Sequence, residues 1–383
     1  MNRLKRELDC SFCHRNEDLK KIDVCTKRNV MNIMNKIDND YLVNVTDPIL
    51  NNSIQNIPFP RRLILKKEKI SINREITSLD DLLKIIDDFP ISFNIEYSID
   101  IAQLIKIKEP LVELNNMIGM ACVKNSILDQ IIFYIQNLHH NGGMDYKHTV
   151  IYGPPGSGKT EVAKILGKIF SKLGILKNES FKKVTRADLI AGYLGQTALK
   201  TRGVINESLD GVLFIDEAYA LGNTEKRDSF AKECIDTICE ALSDHKENLM
   251  VIVAGYKEEL DTCFFSYNQG LKSRFPWVFE TEKYRPIDLK NIFIKKINDI
   301  NWKLEDDLNL STFEKNKDLF KFYGRDMEIL LLKTKIAHSR RIFGKSEDLK
   351  TFINNSDLEN GIELFKKHTE SEPSNYQIHR MYS

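Results

Sequence analysis

Apolar residues recur along this chain in two periods. Val123, Ile127, Ile131, Tyr134, Ile135 and Leu138 fall at helical spacing and predict a helix from Val123 to about Leu138. Asn141-Gly142-Gly143 breaks it. Val162, Leu166, Ile169, Phe170 and Leu173 repeat the helical pattern, and Gly174 reads as its C-terminal cap. Between such stretches stand short apolar runs at 148–152, 181–184, 211–215, 249–254 and 277–279. Strands alternating with helices predict a parallel sheet covered on both faces. Upstream, residues 60–77 read as strand-like. Ser78 with Asp81 three residues on marks a helix start, and Pro90 ends that helix after Asp88. Residues 91–110 are apolar without a clear period, and Glu109-Pro110 reads as a boundary.

Composition narrows the class. The chain has 383 residues, 42% of them hydrophobic and 29% charged, enough apolar material for a full core. That length suggests about two or three domains. Lys and Arg total 56 against 55 Asp and Glu, so no global basic field exists to coat duplex DNA. No apolar run is long enough for a membrane span, and the polar N-terminus does not read as a secretory signal. A cytoplasmic or other soluble intracellular setting is expected, with the seven cysteines reduced. Cys10-x-x-Cys13-His14 with Cys25 has the start of a zinc site, but no second pair closes it. Arg61, Arg62, Lys66, Lys67 and Lys69 form a basic run without interleaved aromatics, which reads as a solvated strand edge.

One motif carries most of the chemistry. Gly153-Pro154-Pro155-Gly156-Ser157-Gly158-Lys159-Thr160 fits G-x-x-x-x-G-K-[ST] and lies between a predicted strand and a predicted helix. In such a loop, backbone N–H groups cradle phosphate oxygens, Lys159 supplies charge to the outer phosphates, and the Thr160 hydroxyl reaches Mg2+. The second motif is Val212-Leu213-Phe214-Ile215-Asp216-Glu217, an apolar strand ending in two carboxylates. Ligands bind at that end of the strands in open α/β sheets. Asp216 suits the Mg2+ shell, and Glu217 suits the orientation and deprotonation of an attacking water. Protein kinases use a different glycine loop with H-R-D and D-F-G, and neither appears here.

With their surroundings, these motifs resemble the AAA+ ATPases, and within them the CbbX/CfxQ (rubisco-activase-type, SpoVK-like) group. The resemblance covers about residues 111–345. It rests on Glu113 to Gly119 with Val123-Lys124, Gly192-Tyr193-Leu194-Gly195-Gln196-Thr197-Ala198, Asp216 to Leu221, Phe230 to Glu233, Val251 to Tyr256 and Gly324-Arg325. It implies an α/β P-loop NTPase: a three-layer parallel-sheet sandwich with a C-terminal helical lid and a small N-terminal α+β region. The implied division is an N-terminal region 1–110, an ATPase core 111–280, a lid 281–370 and a loose tail 371–383. It implies that Ile118 and Gly119 flank the adenine, and that Arg274 is an arginine finger reaching a neighbouring subunit. It further implies that Arg325 senses the γ-phosphate from the lid, and that Tyr193 and Leu194 form a pore loop gripping polypeptide. ATP and Mg2+ are the implied cofactors. A homo-oligomeric ring, a hexamer, acting on a protein client is the implied assembly.

Two positions depart from the family pattern. Ala254-Gly255-Tyr256 stands where sensor 1 is often Asn or Thr, and Glu328 stands where relatives often carry a second basic residue. Two other functions stay open on sequence. One is an AAA+ factor in nucleic-acid transactions, which salt-sensitive DNA binding would favour. The other is a nucleotide-gated scaffold with little turnover, against which the intact Glu217 argues.

Overall fold

The computed structural model describes residues 68–371, apart from 93, 141–144, 194 and 226. Cys10, Cys13, His14, Cys25, Arg61, Arg62, Lys66, Lys67 and Leu194 lie outside the described residues, as does the expected tail beyond 371.

The described chain opens with β1 (Glu68–Ile70), α1 (Leu79–Asp88), β2 (Ile95–Tyr97), α2 (Ile101–Asn115) and α3 (Ala121–Ile135). Ser78 and Asp81 close a reciprocal capping box at the start of α1, as the sequence predicts. Three expectations are corrected here. Of the described part of the strand-like stretch, 68–77, only Glu68–Ile70 is a strand; residues 71–77 are irregular. Pro110 marks no boundary, because it is buried inside α2. The turns before and after it bury Leu104, Ile107, Leu111 and Leu114, and that packing holds the helix through the proline. Helix α3 also stops before Leu138, which begins a separate short turn.

The sheet follows: β3 (Thr149–Tyr152), α4 (Lys159–Lys172), β4 (Phe181–Val184), α5 (Arg186–Leu189), α6 (Thr197–Glu207), β5 (Val212–Ile215), α7 (Ser229–Asp244), β6 (Met250–Gly255), α8 (Lys257–Cys263) and β7 (Trp277–Glu280). The five strands run in the order β4-β5-β6-β3-β7, every pair parallel. Alternate residues feed two cores, as a period of two requires. Ile151, Val212, Phe214, Met250, Ile252 and Ala254 meet α1 to α4 on one face. Val150, Tyr152, Leu213, Ile215, Val251 and Val253 meet α5 to α8 on the other. Residues 72–114 share the first of these cores, so the segment before Leu111 is packed as part of the same body. Cys234 and Cys239 are buried free thiols of α7 in the second core, as their helical neighbours predict.

A third core gathers α9 (Pro286–Asp299), α10 (Leu310–Lys315), α11 (Gly324–Ile342), α12 (Asn355–Ser371) and the short pair β8 (Lys303–Leu304) and β9 (Phe352–Ile353). Among the described residues, no helix is long and apolar enough to cross a membrane.

Candidate functional site

The loop 153–158 joins the C-terminal end of β3 to the N-terminus of α4, where unpaired backbone N–H groups and the helix dipole favour anions. Gly156 adopts φ +72, and a Cβ there would lie 2.0 Å from the carbonyl oxygen of Phe322. Only glycine therefore lets the third core sit directly on the loop. The Gly324 N–H donates to the Gly156 carbonyl at 3.1 Å. Ser157 is fully buried, and its hydroxyl accepts from Thr281 at 3.2 Å, so this side chain faces β7.

A cavity of about 270 Å³ opens over the loop. The fold brings Gly156, Lys159, Thr160, Asp216, Glu217 and Arg325 to its walls. Lys159 folds back so that Nζ donates to the carbonyls of Gly153 at 2.9 Å and Pro154 at 2.8 Å. Burial, with the nearby Arg325 guanidinium, pulls its ammonium down to about 8, against the opposing charges of Asp216 and Glu217. A phosphate would supply the missing negative charge. Nucleotide affinity is therefore expected to fall by up to about tenfold per pH unit above pH 8, as free Lys159 loses its proton. Titrations of ATP from neutral to alkaline pH check this, and a flat profile through pH 8 would refute it.

Hard oxygen donors suit Mg2+, which takes octahedral oxygen ligands and keeps several waters. The Thr160 hydroxyl and the Asp216 carboxylate line the same cavity, so the donor set fits the ion. Asp216 closes the end of β5, and its N–H donates to the Val184 carbonyl at 3.0 Å. Glu217 follows with φ 51 and ψ 47, a left-handed backbone that costs a non-glycine residue about 1–2 kcal/mol. The turn is held because Ala218 and Leu221 behind it are fully buried. Glu217 is exposed and faces Tyr219 and Glu259. Burial and then the Glu217 charge raise both the Tyr219 phenol and the Glu259 carboxyl above their ordinary ranges. At the sensor 1 position, the Tyr256 ring lies 6.0 Å from that of Tyr219.

Ile118 and Gly119 lie in the turn between α2 and α3, beside the loop. The Lys124 ammonium donates to the carbonyls of Asn115 at 2.8 Å and Met117 at 2.6 Å and braces that turn. Met117, Met120 and Tyr284 close in on Gly158 from the same side. Tyr284 stacks edge-on against Tyr323, with ring centroids 5.1 Å apart, and its hydroxyl donates to the Ser157 carbonyl at 3.3 Å. Sequence reasoning misses these apolar and aromatic side chains. Met117 and Met120 directly flank Ile118-Gly119, and that adjacency is the available signal.

Glu328 also reaches the cavity, and Lys296 of α9 donates to it at 2.7 Å. Lys296 thus puts a cation beside the position where the family pattern leads one to expect it. No motif marks it; only the packing of α9 on α11 reveals it. Arg274 is not among the residues of this cavity. Its Nε donates to Ser243 Oγ at 2.7 Å and its Nη1 to the Gly270 carbonyl at 2.5 Å. Tyr193 is 75% exposed on the loop between α5 and α6, with open space around the Cβ positions of Gly192 and Gly195.

Residues 149–278 match the model of the ATPase family associated with various cellular activities (AAA). A cfxQ-like protein, R730 of Acanthamoeba polyphaga mimivirus, is 40% identical over 80% of this chain and 76% of its own length. Stage V sporulation protein K of Bacillus subtilis is 35% identical over 64% of this chain and 79% of its own. The ESX-3 secretion system protein EccA3 of Mycolicibacterium smegmatis is 43% identical, over 39% of this chain and only 24% of its own length. Among solved structures, a mutant RuvB of Thermotoga maritima aligns with 66% of this chain and 72% of its own, at 18% identity and a TM-score of 0.45. A parallel sheet carrying a complete phosphate loop, and a relative this similar over most of both chains, lead to one conclusion: the chain belongs to the AAA ATPases, in the CfxQ-like family.

Proposed function

We propose that this ATPase uses ATP hydrolysis to remodel a protein client, working as a homo-oligomeric ring, a hexamer, whose pore is lined by Tyr193. ATP would bind with its phosphates over the loop 153–158 and its adenine between the 117–120 turn and Tyr284. Mg2+, held by Thr160 and Asp216, would offset phosphate charge. Lys159 would leave the two loop carbonyls for the outer phosphates. Glu217 would orient the attacking water and accept its proton, with Tyr219 and Tyr256 as the polar neighbours on that side. Arg325 would read the γ-phosphate from a lid built on the third core, whose α11 begins over the loop. Arg274, engaged away from its own cavity, would serve a neighbouring subunit.

The observation that carries the choice of a protein client is the setting of Tyr193. Its ring is exposed, yet the loop that bears it is tied down at both ends. Lys200 Nζ donates to the carbonyls of Ala187 at 2.6 Å and Ile190 at 2.9 Å, and the Thr201 hydroxyl donates to Leu189 at 3.0 Å. A fixed base with an open, glycine-bracketed tip suits repeated weak grips on polypeptide. Tyr193→Ala is expected to keep basal ATP turnover and to shift stability by less than about 0.5 kcal/mol, as for an exposed side chain. Client remodelling should be lost. Melting temperature, ATPase rate and release of a bound protein, measured side by side, test this. Full remodelling by the variant, or salt-sensitive DNA binding that the variant loses, would sink the proposal.

A further inference from the structure

We propose that Lys183 is the resident counter-cation of Asp216, and that a divalent ion must displace it to load. This rests on the reading of Asp216 as an Mg2+ ligand. The Lys183 ammonium lies 2.6 Å from Asp216 Oδ2. The contact is set by strand register. Lys183 of β4 pairs with Phe214 of β5, so Asp216, two residues on, stands diagonally across on the same face. Phe181 and Phe214 stack on that face with centroids 5.6 Å apart. Lys182 points the other way and pairs with Glu207. The Asp216 backbone N–H is bonded to the Val184 carbonyl, which holds the Asp216 Cα against the end of β4. Lys183 can move: its side chain is 47% exposed against 19% for Asp216, and it lines a second, larger cavity of about 710 Å³.

The Lys183 ammonium on the Asp216 carboxylate and a divalent ion held by that carboxylate would compete for its charge and lone pairs. The ammonium satisfies the carboxylate when no ion is bound, and the ion loads against that pairing. Metal capture is thereby made weaker than the donor set alone would give. Lys159 lies beside Asp216 as well, but its ammonium is bound to two loop carbonyls.

The test follows the affinity of full-length protein for N-methylanthraniloyl-ADP by fluorescence, from metal-free to saturating Mg2+, and reads the Mg2+ concentration of half-maximal effect. Lys183→Met is expected to lower that midpoint about three- to fivefold, the range for releasing a partly exposed ion pair. Lys183→Arg should keep the wild-type midpoint, and Lys182→Met, which removes a charge from the opposite face, should leave it unchanged. An unchanged or raised midpoint in Lys183→Met overturns the proposal, and so does an equal shift in Lys182→Met. Asp216→Asn separates the levels. If it leaves the Mg2+ effect intact, the metal reading of Asp216 falls and this inference with it. If it abolishes the effect while Lys183→Met changes nothing, only the inference falls. Melting temperatures of the nucleotide-free variants verify that each is folded.

Discussion

Lys159→Ala is expected to cut ATP affinity by about 10²-fold or more, below detection in an ordinary titration, while the protein stays folded. A hydrogen bond to a charged group is worth about 1.5–3 kcal/mol, and in the proposed role this ammonium would reach more than one phosphate oxygen. The fold asks less of it. In the free protein its partners are two loop carbonyls, Gly153 and Pro154, and alanine is favourable at the first position of α4. Calorimetry with unchanged ATP affinity in the variant would remove the phosphate loop from the mechanism.

The second large effect concerns hydrolysis. Glu217→Gln keeps the shape of the turn and would remove the proposed proton acceptor, so binding should persist while turnover falls by about 10²–10⁴. Arg274→Ala should leave binding intact and lower turnover by about 10³–10⁵, the usual worth of an arginine finger. That variant also loses the bonds to Ser243 and Gly270, so its melting temperature has to be compared with wild type. Mixing the two variants should restore part of the activity, because a mixed interface can pair an intact Glu217 with an intact Arg274. If Arg274→Ala alone hydrolyses ATP at the normal rate, the finger lies elsewhere, with Arg285 the next residue to test.

What could be read from residue order follows the length scale of each interaction. The phosphate loop, the β5 carboxylates and all five strands of the large sheet are local patterns, and the structure has them where the spacing predicts. Pro110 misleads because the burial of its neighbours is a tertiary fact. Packing of Ile107 and Leu111 in the first core outweighs one lost helix bond. The Glu328 departure reads as a missing charge until packing puts Lys296 beside it. Tyr284 stands 126 residues after Gly158 in the chain, and no local pattern links the two. Lys183 reads as any strand lysine until register sets it diagonal to Asp216.

The Gly324 amide proton can also serve as a clock. While α11 rests on the loop, this proton is held by the Gly156 carbonyl. If the proposed lid lifts, water would replace that acceptor and the proton could trade for deuterium. Exchange at a single peptide spanning residues 322–326 would thus report what fraction of the time the contact is broken, without any label on the molecule. Its half-life in the free, diphosphate and triphosphate states would compare how far each nucleotide state favours the closed contact. The neighbouring N–H of Met327, bonded within its own segment to Tyr323, supplies the internal reference.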